Sequence, residues 1–424
     1  MLFKNISFSL FYKILTMVLS LIIVPLLINT LGTENYGVWV ALTSLIAWIS
    51  LFDFGLGYAL KNTVTTSIAN NKLHLAKAEA LQVLKLTCIL SVLLLIVFFC
   101  SISFISVLKL NLGASLMIFV PFILLFPLKA GNAILQGARL IALESGFSFI
   151  GPLFFFIFST LFVLFGFCFD VFTAAVLFTI SYVASIICIW LKACKVVNIS
   201  LFDFRELMLA KLDFSRISVG VKFFVLQVAS LVLYSVGTIL VYDQLGPQEA
   251  AHYDVVSKIF VLGLSLFNMV IAAFWPEITN YFSRSDFNGI KTLYLRMIFL
   301  SLIFSLGSFF VAYFAPEIVS AWTIGKINIS KEQAIFFGAL VSIQSFAYSG
   351  AVVLNALEKM NVQLVLTSIS VFLMMPLSML FFSNNYGISS VPLAAAILTI
   401  PAMLYANTHT YILIRTGLLN AKAS

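Results

Sequence analysis

NTLGTENYGVWVALTSLIAWISLFDFGLGYAL, residues Asn29–Leu60, is the stretch from which the fold is read. One long apolar run ends at Leu31-Gly32. A second starts at Tyr36-Gly37-x-Trp39 and stops at Asp53, with Phe54-Gly55-Leu56-Gly57 directly behind it. Two such runs joined by a short glycine turn read as a helix-turn-helix unit inside a membrane. A weaker copy of the opening turn, Leu245-Gly246-Pro247-Gln248-Glu249 and then Tyr253, returns near the middle of the chain. The sequence therefore reads as two related halves.

Composition agrees. Of 424 residues, 62% are hydrophobic and only 9% charged, with mean hydropathy +1.12. A water-soluble domain needs more surface charge than that. Backbone groups in hydrocarbon must be satisfied within the chain, which leaves helices or closed barrels. Long apolar runs, rather than alternating ten-residue strands, select helices. Cys88, Cys100, Cys168, Cys188 and Cys194 are scattered without CxxC or Cys/His metal spacing, which predicts free thiols. Lys4 and Lys13 precede an apolar stretch as in a signal peptide. No small-x-small cleavage site follows, so a retained first helix is expected. The net charge of +8 is read as basic loops orienting a membrane protein, not as a nucleic-acid surface.

Charges bracket the spans. In the first half they are 14–31, 35–52, 86–108, 110–128 (continuing through Lys129 to about Gln136), 145–169 and 171–191. A polar segment over 192–216 follows. The second half has 223–242, 259–275, 297–315 and 333–357. Residues 360–414 carry no Asp, Glu, Lys or Arg and split at the turn signal Ser383-Asn384-Asn385-Tyr386-Gly387. The expectation is an all-α polytopic protein of twelve transmembrane helices in two bundles. These are 1–195 and 217–424, joined by a cytoplasmic linker at 196–216. With the N-terminus inside, only Lys109, Lys326 and Lys331 fall outside, and Lys129 and Lys258 stay at or near membrane depth. The other nineteen of the 24 basic residues, every arginine among them, fall inside. Both termini are thus expected in the cytoplasm. A second internal echo, Ile134-Leu135-Gln136-Gly137-Ala138 against Val353-Leu354-Asn355-Ala356-Leu357, lies at an offset of 219, close to the 214 separating the glycine turns.

The motifs Leu31-Gly32-x-x-x-Tyr36-Gly37-x-Trp39, Asp53-Phe54-Gly55-Leu56-Gly57, Leu135-Gln136-Gly137 and Leu245-Gly246-Pro247 with Tyr253 resemble those of Wzx-type flippases. These translocate O-antigen and related polysaccharide repeat units and belong to the multidrug/oligosaccharidyl-lipid/polysaccharide exporter superfamily. The resemblance covers essentially the whole chain. It implies a V-shaped pair of bundles around a central cavity. It also implies translocation of undecaprenyl-pyrophosphate-linked oligosaccharide across the bacterial inner membrane by alternating access. As partners it implies membrane lipids, a polysaccharide polymerase and a chain-length regulator, with no nucleic acid; no cofactor is expected, and coupling to H+ or Na+ is left open.

Moving such a head group through hydrocarbon calls for cations to meet the phosphates and hydrogen-bonding groups to meet the sugar. Lys129 is the first candidate. Asn132, Gln136 and Arg139 follow it at helical spacings of three, four and three, a polar stripe on one face of the fourth helix. The bland reading has Lys129 snorkelling or pairing with an acid, and Arg139 anchoring the cytoplasmic end. Lys258 follows Asp254 by four residues. It is either an i,i+4 ion pair at the outer interface or a cation at the cavity mouth, tuned by Asp254. Lys13 and Lys222 hold early positions in helices one and seven and read as interface anchors or cavity cations. Gln227, Tyr234 and Ser235, with Gln344, Tyr348 and Asn355, suit sugar hydroxyls or interhelical hydrogen bonds equally. Asp53, beside Gly55 and Gly57, reads as a cap on the turn or as a coupling carboxylate. His74, His252 and His409 are dispersed, so neither a metal site nor a catalytic triad is expected.

Four other classes fit less well. Membrane polymerases and ligases resemble chains with a large external loop carrying arginines or histidines. Here external loops are short, about fifteen residues at most, and hold no arginine. A drug/cation antiporter of the same superfamily would place acids deep in its helices, whereas the deepest charge here is Lys129. Lipid II flippases carry helices beyond twelve. A receptor or structural role is disfavoured by the lack of an extramembrane domain.

Overall fold

The computed structural model describes residues 2–200 and 236–423, apart from 358 and 360. Those residues are almost entirely helical, as the apolar runs require. In order they form α1 (Leu2–Ile49), α2 (Leu56–Ala69), α3 (Leu73–Ser101), α4 (Ser106–Leu110), α5 (Leu112–Leu124), α6 (Ala130–Gly137), α7 (Ile141–Leu164) and α8 (Val171–Val197). After a helical stretch at 236–245 come α9 (Pro247–Ala272), α10 (Trp275–Ser283), α11 (Phe287–Trp322), α12 (Lys331–Ala356), α13 (Asn361–Ser383) and α14 (Ser390–Ala423).

Among the described residues, nine helices are long and apolar enough to cross a membrane, or up to ten if one bent pair counts as a single span. The expected twelve differ from this for identifiable reasons. The first two spans run together in α1, and the seventh, 223–242, begins outside the described residues. The chain divides into two compact units, Met1–Val228 and Ala229–Ser424. Of the expected linker, 196–216, everything from residue 201 onward lies outside the described residues.

Within α1 the helix is broken at Gly32, where φ is 79° and ψ 164°. Gly246, which precedes α9, has φ 92° and ψ 175°. That region of backbone space is essentially glycine-only. The repeated Leu-Gly turn therefore reproduces one backbone conformation in both units. A Cβ at either position would meet nothing within 4 Å, so the glycine serves conformation and not space. The tyrosines that follow, Tyr36 and Tyr253, are both buried, at 1% and 6% exposure.

In the first unit, Leu56, Leu60 and Val64 of α2 recur every helical turn. They pack on Ala76, Ala80 and Val83 of α3, Ala130, Ala133 and Ile134 of α6, and Ile189 and Ala193 of α8. Small residues bring these helices close. A Cβ on Gly137 would stand 2.6 Å from the Lys61 carbonyl oxygen. Trp39 fixes the second apolar run, stacking on Phe155 at 5.6 Å and meeting Phe178 edge-on at 5.3 Å.

The second unit is built on α12, held between α11 and α14. Ser330 and Gln333 cap its start reciprocally, at 3.1 and 2.9 Å. Antiparallel to it, α11 offers a polar, small-residue face. Ser301 bonds Ser349 and Ser308 bonds Ser342, each at 2.8 Å, and Gly338 lies against Ala312. The opposite face of α11, including Phe299, Leu302, Leu306 and Phe310, is exposed. Polar inside and apolar outside is what lipid selects, because apolar burial gains nothing against hydrocarbon and packing with hydrogen bonds must hold the helices.

Two outcomes test this account. Gly32→Ala should destabilise the protein by about 1–3 kcal/mol through backbone strain alone, read as a lower unfolding temperature in detergent. A double-mutant cycle of Ser308→Ala with Ser342→Ala should return a coupling of about 0.6 kcal/mol, the usual size for such bonds in membranes.

Candidate functional site

The fourth expected span is where the structure departs most from a simple helix. Pro121 and Pro127 lie within it, and Pro127 removes a backbone donor where the helix would continue. The chain answers with a 3-10 turn, Phe126–Lys129, and the pieces Leu112–Leu124 and Phe126–Gly137 are bent by 56°. Lys129 is the last residue of that turn and is half-buried.

Across from it is the Asp53-Phe54-Gly55-Leu56-Gly57 segment. Phe54 and Gly55 both take positive φ, 47° and 78°, turning the chain sharply into α2. The Asp53 carboxylate accepts a hydrogen bond from the Gly55 N–H at 3.0 Å, so it does cap the turn. Its second oxygen lies over Gly57, whose added Cβ would stand 3.1 Å away and 3.9 Å from the Ala133 Cβ on α6. This carboxylate and the Lys129 ammonium interact electrostatically. Lys129 is thus paired with an acid, as one of the two readings of the sequence requires, and the pair sits at the bend.

The polar stripe is shorter than its spacing suggests. Asn132 and Gln136 lie on α6, but that helix ends at Gly137. The Leu140 N–H bonds back to the Leu135 carbonyl at 2.9 Å, and Arg139 N–H to that of Gln136 at 3.1 Å. Arg139 itself takes φ 60°. This is a Schellman ending with arginine at the left-handed position that glycine usually fills. Arg139 therefore leaves the shared face, is exposed, and accepts through its carbonyl from the Asn5 side chain at 3.1 Å. Asn132 keeps a buried Oδ1 with no hydrogen-bond partner among the described residues.

Gln136 joins a second cluster near that end of the unit. It accepts from Lys61 Nζ at 3.4 Å and is hydrogen-bonded to the Glu144 side chain. Lys13 and Lys61 both lie within electrostatic reach of Glu144. Neither Lys61 nor Glu144 stood out in the sequence. Each lies near a helix end, where a charge ordinarily reads as an interface anchor or a first-turn acid, and only the packing of α2, α6 and α7 brings them together.

In the second unit, Lys258 donates to the Asp254 carboxylate one turn back, the i,i+4 ion pair. Gln344, 4% exposed, makes no hydrogen bond through either amide atom among the described residues, and the buried Asn355 Oδ1 has none either. Lys222, Gln227, Tyr234 and Ser235 lie outside the described residues. Among the described residues no group of three His, Cys, Asp or Glu is placed to hold a metal ion.

Comparison with known proteins gives this geometry a setting. The profile of a family described as "Polysaccharide biosynthesis protein" matches residues 2–282. The chain belongs to this family. A protein of Salmonella typhi described as an O-antigen transporter is 24% identical over 401 residues, 89% of this chain and 88% of its own. A Salmonella typhimurium counterpart is 22% identical over 419 residues, 95% and 94% of the two chains. Among solved structures, an inward-facing multidrug resistance MATE family transporter of the MOP superfamily is similar with TM-score 0.74 and 16% identity, covering 95% of each chain. The outward-facing form gives 0.63 and 18%, over 97% of this chain and 96% of that one. Family, fold and apolar helices make this member of the polysaccharide biosynthesis family a multi-pass membrane protein.

The ion pair at the bend has a measurable signature. Lys129→Met or Asp53→Asn alone should lower the unfolding temperature, the loss of stability being less than the ~3–5 kcal/mol of a fully buried pair because both groups are part-exposed. The combined Asp53→Asn/Lys129→Met protein should recover part of the loss in the same detergent melt.

Proposed function

We propose that the protein is a flippase for a lipid-linked glycan. It moves undecaprenyl-pyrophosphate-linked oligosaccharide, an O-antigen or similar repeat unit, from the cytoplasmic to the periplasmic leaflet of the bacterial inner membrane by alternating access. Both termini face the cytoplasm in this reading, which the lysine and arginine bias of the loops supports. The observation that carries it is the Lys129 ammonium at a proline-induced break inside an otherwise apolar span, in a chain whose relatives are described as O-antigen transporters. A cation at that depth is costly and marks a route for an anion. Asn132, with an unmet amide oxygen, adds a hydrogen-bonding group one turn away.

Asp53 holds Lys129 when no phosphate is present. Protonation of Asp53, or its neutralisation by Na+, would free the lysine for substrate, which is how an ion gradient would be coupled to transport. Gln344 and Asn355 supply unmet amide groups for the sugar in the second unit.

Restored surface O-antigen in a cell lacking its own flippase is the expected result for the wild-type gene. Lys129→Met should reduce it at least tenfold at equal membrane abundance, while Lys129→Arg should retain most of it. Full activity of Lys129→Met would end the cationic-route reading. A cation-coupled drug exporter is the competing reading, favoured by the fold of the MATE structures. It requires efflux of a cationic dye that depends on Asp53 and is indifferent to the glycan genes.

A further inference from the structure

The second cluster of the first unit has an arrangement that the Lys129 route does not use. Asn5, Ser9 and Tyr12 of α1 lie along the start of α7. Asn5 bonds the Arg139 carbonyl, Ser9 Oγ meets Ser145 Oγ at 2.7 Å, and the Tyr12 ring lies against Gly146, 3.3 Å from where a Cβ would stand. That register brings Lys13 to Glu144. From the other side, Thr65 of α2 bonds the Gly137 carbonyl at 3.0 Å, and the glycine lets Lys61 come close enough to reach Gln136. Gln136 bridges Lys61 and Glu144, and Ser145 Oγ lies 3.4 Å from the Glu144 carboxylate. An amide and a hydroxyl thus hydrogen-bond one carboxylate, and two ammonium groups act on it electrostatically. The cluster is not sealed, since Lys13 is exposed and Glu144 and Lys61 are only half-buried.

From this geometry we propose that Glu144 is an internal stand-in for phosphate. It occupies a cationic site made by Lys13, Lys61 and Gln136, from which an isoprenoid diphosphate head group displaces it. The proposal deepens the flippase reading and rests on it. A purely structural ion cluster would use the same residues, but it would gain nothing from losing its acid. A site with a resident competitor must bind an external anion more tightly once the competitor is neutral. Two cations against one carboxylate also leave one positive charge in excess, so the cluster attracts a dianionic head group over a free carboxylate.

The competition is measurable on the full-length protein in detergent, with farnesyl diphosphate as the probe. Inorganic pyrophosphate and farnesol serve as probes of the head group and of the tail alone. Glu144→Gln should bind farnesyl diphosphate about five- to tenfold more tightly than wild type. Lys61→Gln and Lys13→Gln should bind it several-fold more weakly, and Glu144→Asp should stay near wild type. Pyrophosphate should follow the same order and farnesol should not respond. Unchanged or weaker binding by Glu144→Gln, with an unaltered melting temperature, would overturn the proposal. If Glu144→Gln proves unstable, the Glu144→Gln/Lys61→Gln protein serves instead. Its binding should fall between the two singles, and an affinity no better than that of Lys61→Gln overturns the proposal equally. The two readings fail separately. Diphosphate binding that needs Lys129 but ignores Glu144 sinks only this inference, whereas no diphosphate binding by any variant sinks the flippase reading as well.

Discussion

Hydrocarbon leaves every polar group to be answered by another part of the same chain, and the rest of this structure follows from that. Backbone groups are answered by making nearly everything helix. Side-chain hydroxyls are answered locally. Thr30, Thr43, Thr87 and Thr399 bond carbonyls one turn back, and Ser301 and Ser308 find serines on the neighbouring helix. Larger polar groups are answered in pairs, as where the Tyr294 hydroxyl meets Asn407 Oδ1 at 2.8 Å while the Asn407 amide reaches the Phe346 carbonyl at 3.1 Å. Helix association in both units therefore relies on small residues and specific bonds and not on apolar burial.

Against that background the exceptions gain meaning. Lys129 and Asp53 answer each other, but a charged pair inside a membrane protein is costly compared with two apolar side chains of similar volume. Both amide atoms of Gln344, and the Oδ1 atoms of Asn132 and Asn355, find no hydrogen-bond partner among the described residues. The buried hydroxyls of Ser159, Ser378 and Ser390 are open among the described residues as well. Charges and open amides occur in both units.

The two halves share a turn more faithfully than they share side chains. Gly32 and Gly246 adopt nearly the same unusual backbone geometry, and a buried tyrosine follows each. The surroundings have diverged. After the first turn Trp39 joins a cluster with Phe155 and Phe178, whereas Tyr253 packs on Phe337 and directly over Gly237. The duplicated element is thus the hairpin geometry, which sets the fold. The charges at the bend belong to the first unit alone.

Hydropathy by itself determined that this is a helical membrane protein and roughly where most spans lie. Lipid imposes those features residue by residue, so composition carries them. Lys129 was legible for the same reason, a charge standing out in an apolar run. Tertiary structure decided what that lysine meets. The bend at Pro127 places it on a 3-10 turn, and the Asp53 segment, far away in sequence, meets it there. An arginine in a left-handed Schellman position ended α6 where spacing alone continued the stripe. The joining of Lys13, Lys61, Gln136 and Glu144 depends on the register of four helices. Register is set by glycines and hydroxyls at their contacts, and an apolar pattern insensitive to which face meets which neighbour does not encode it.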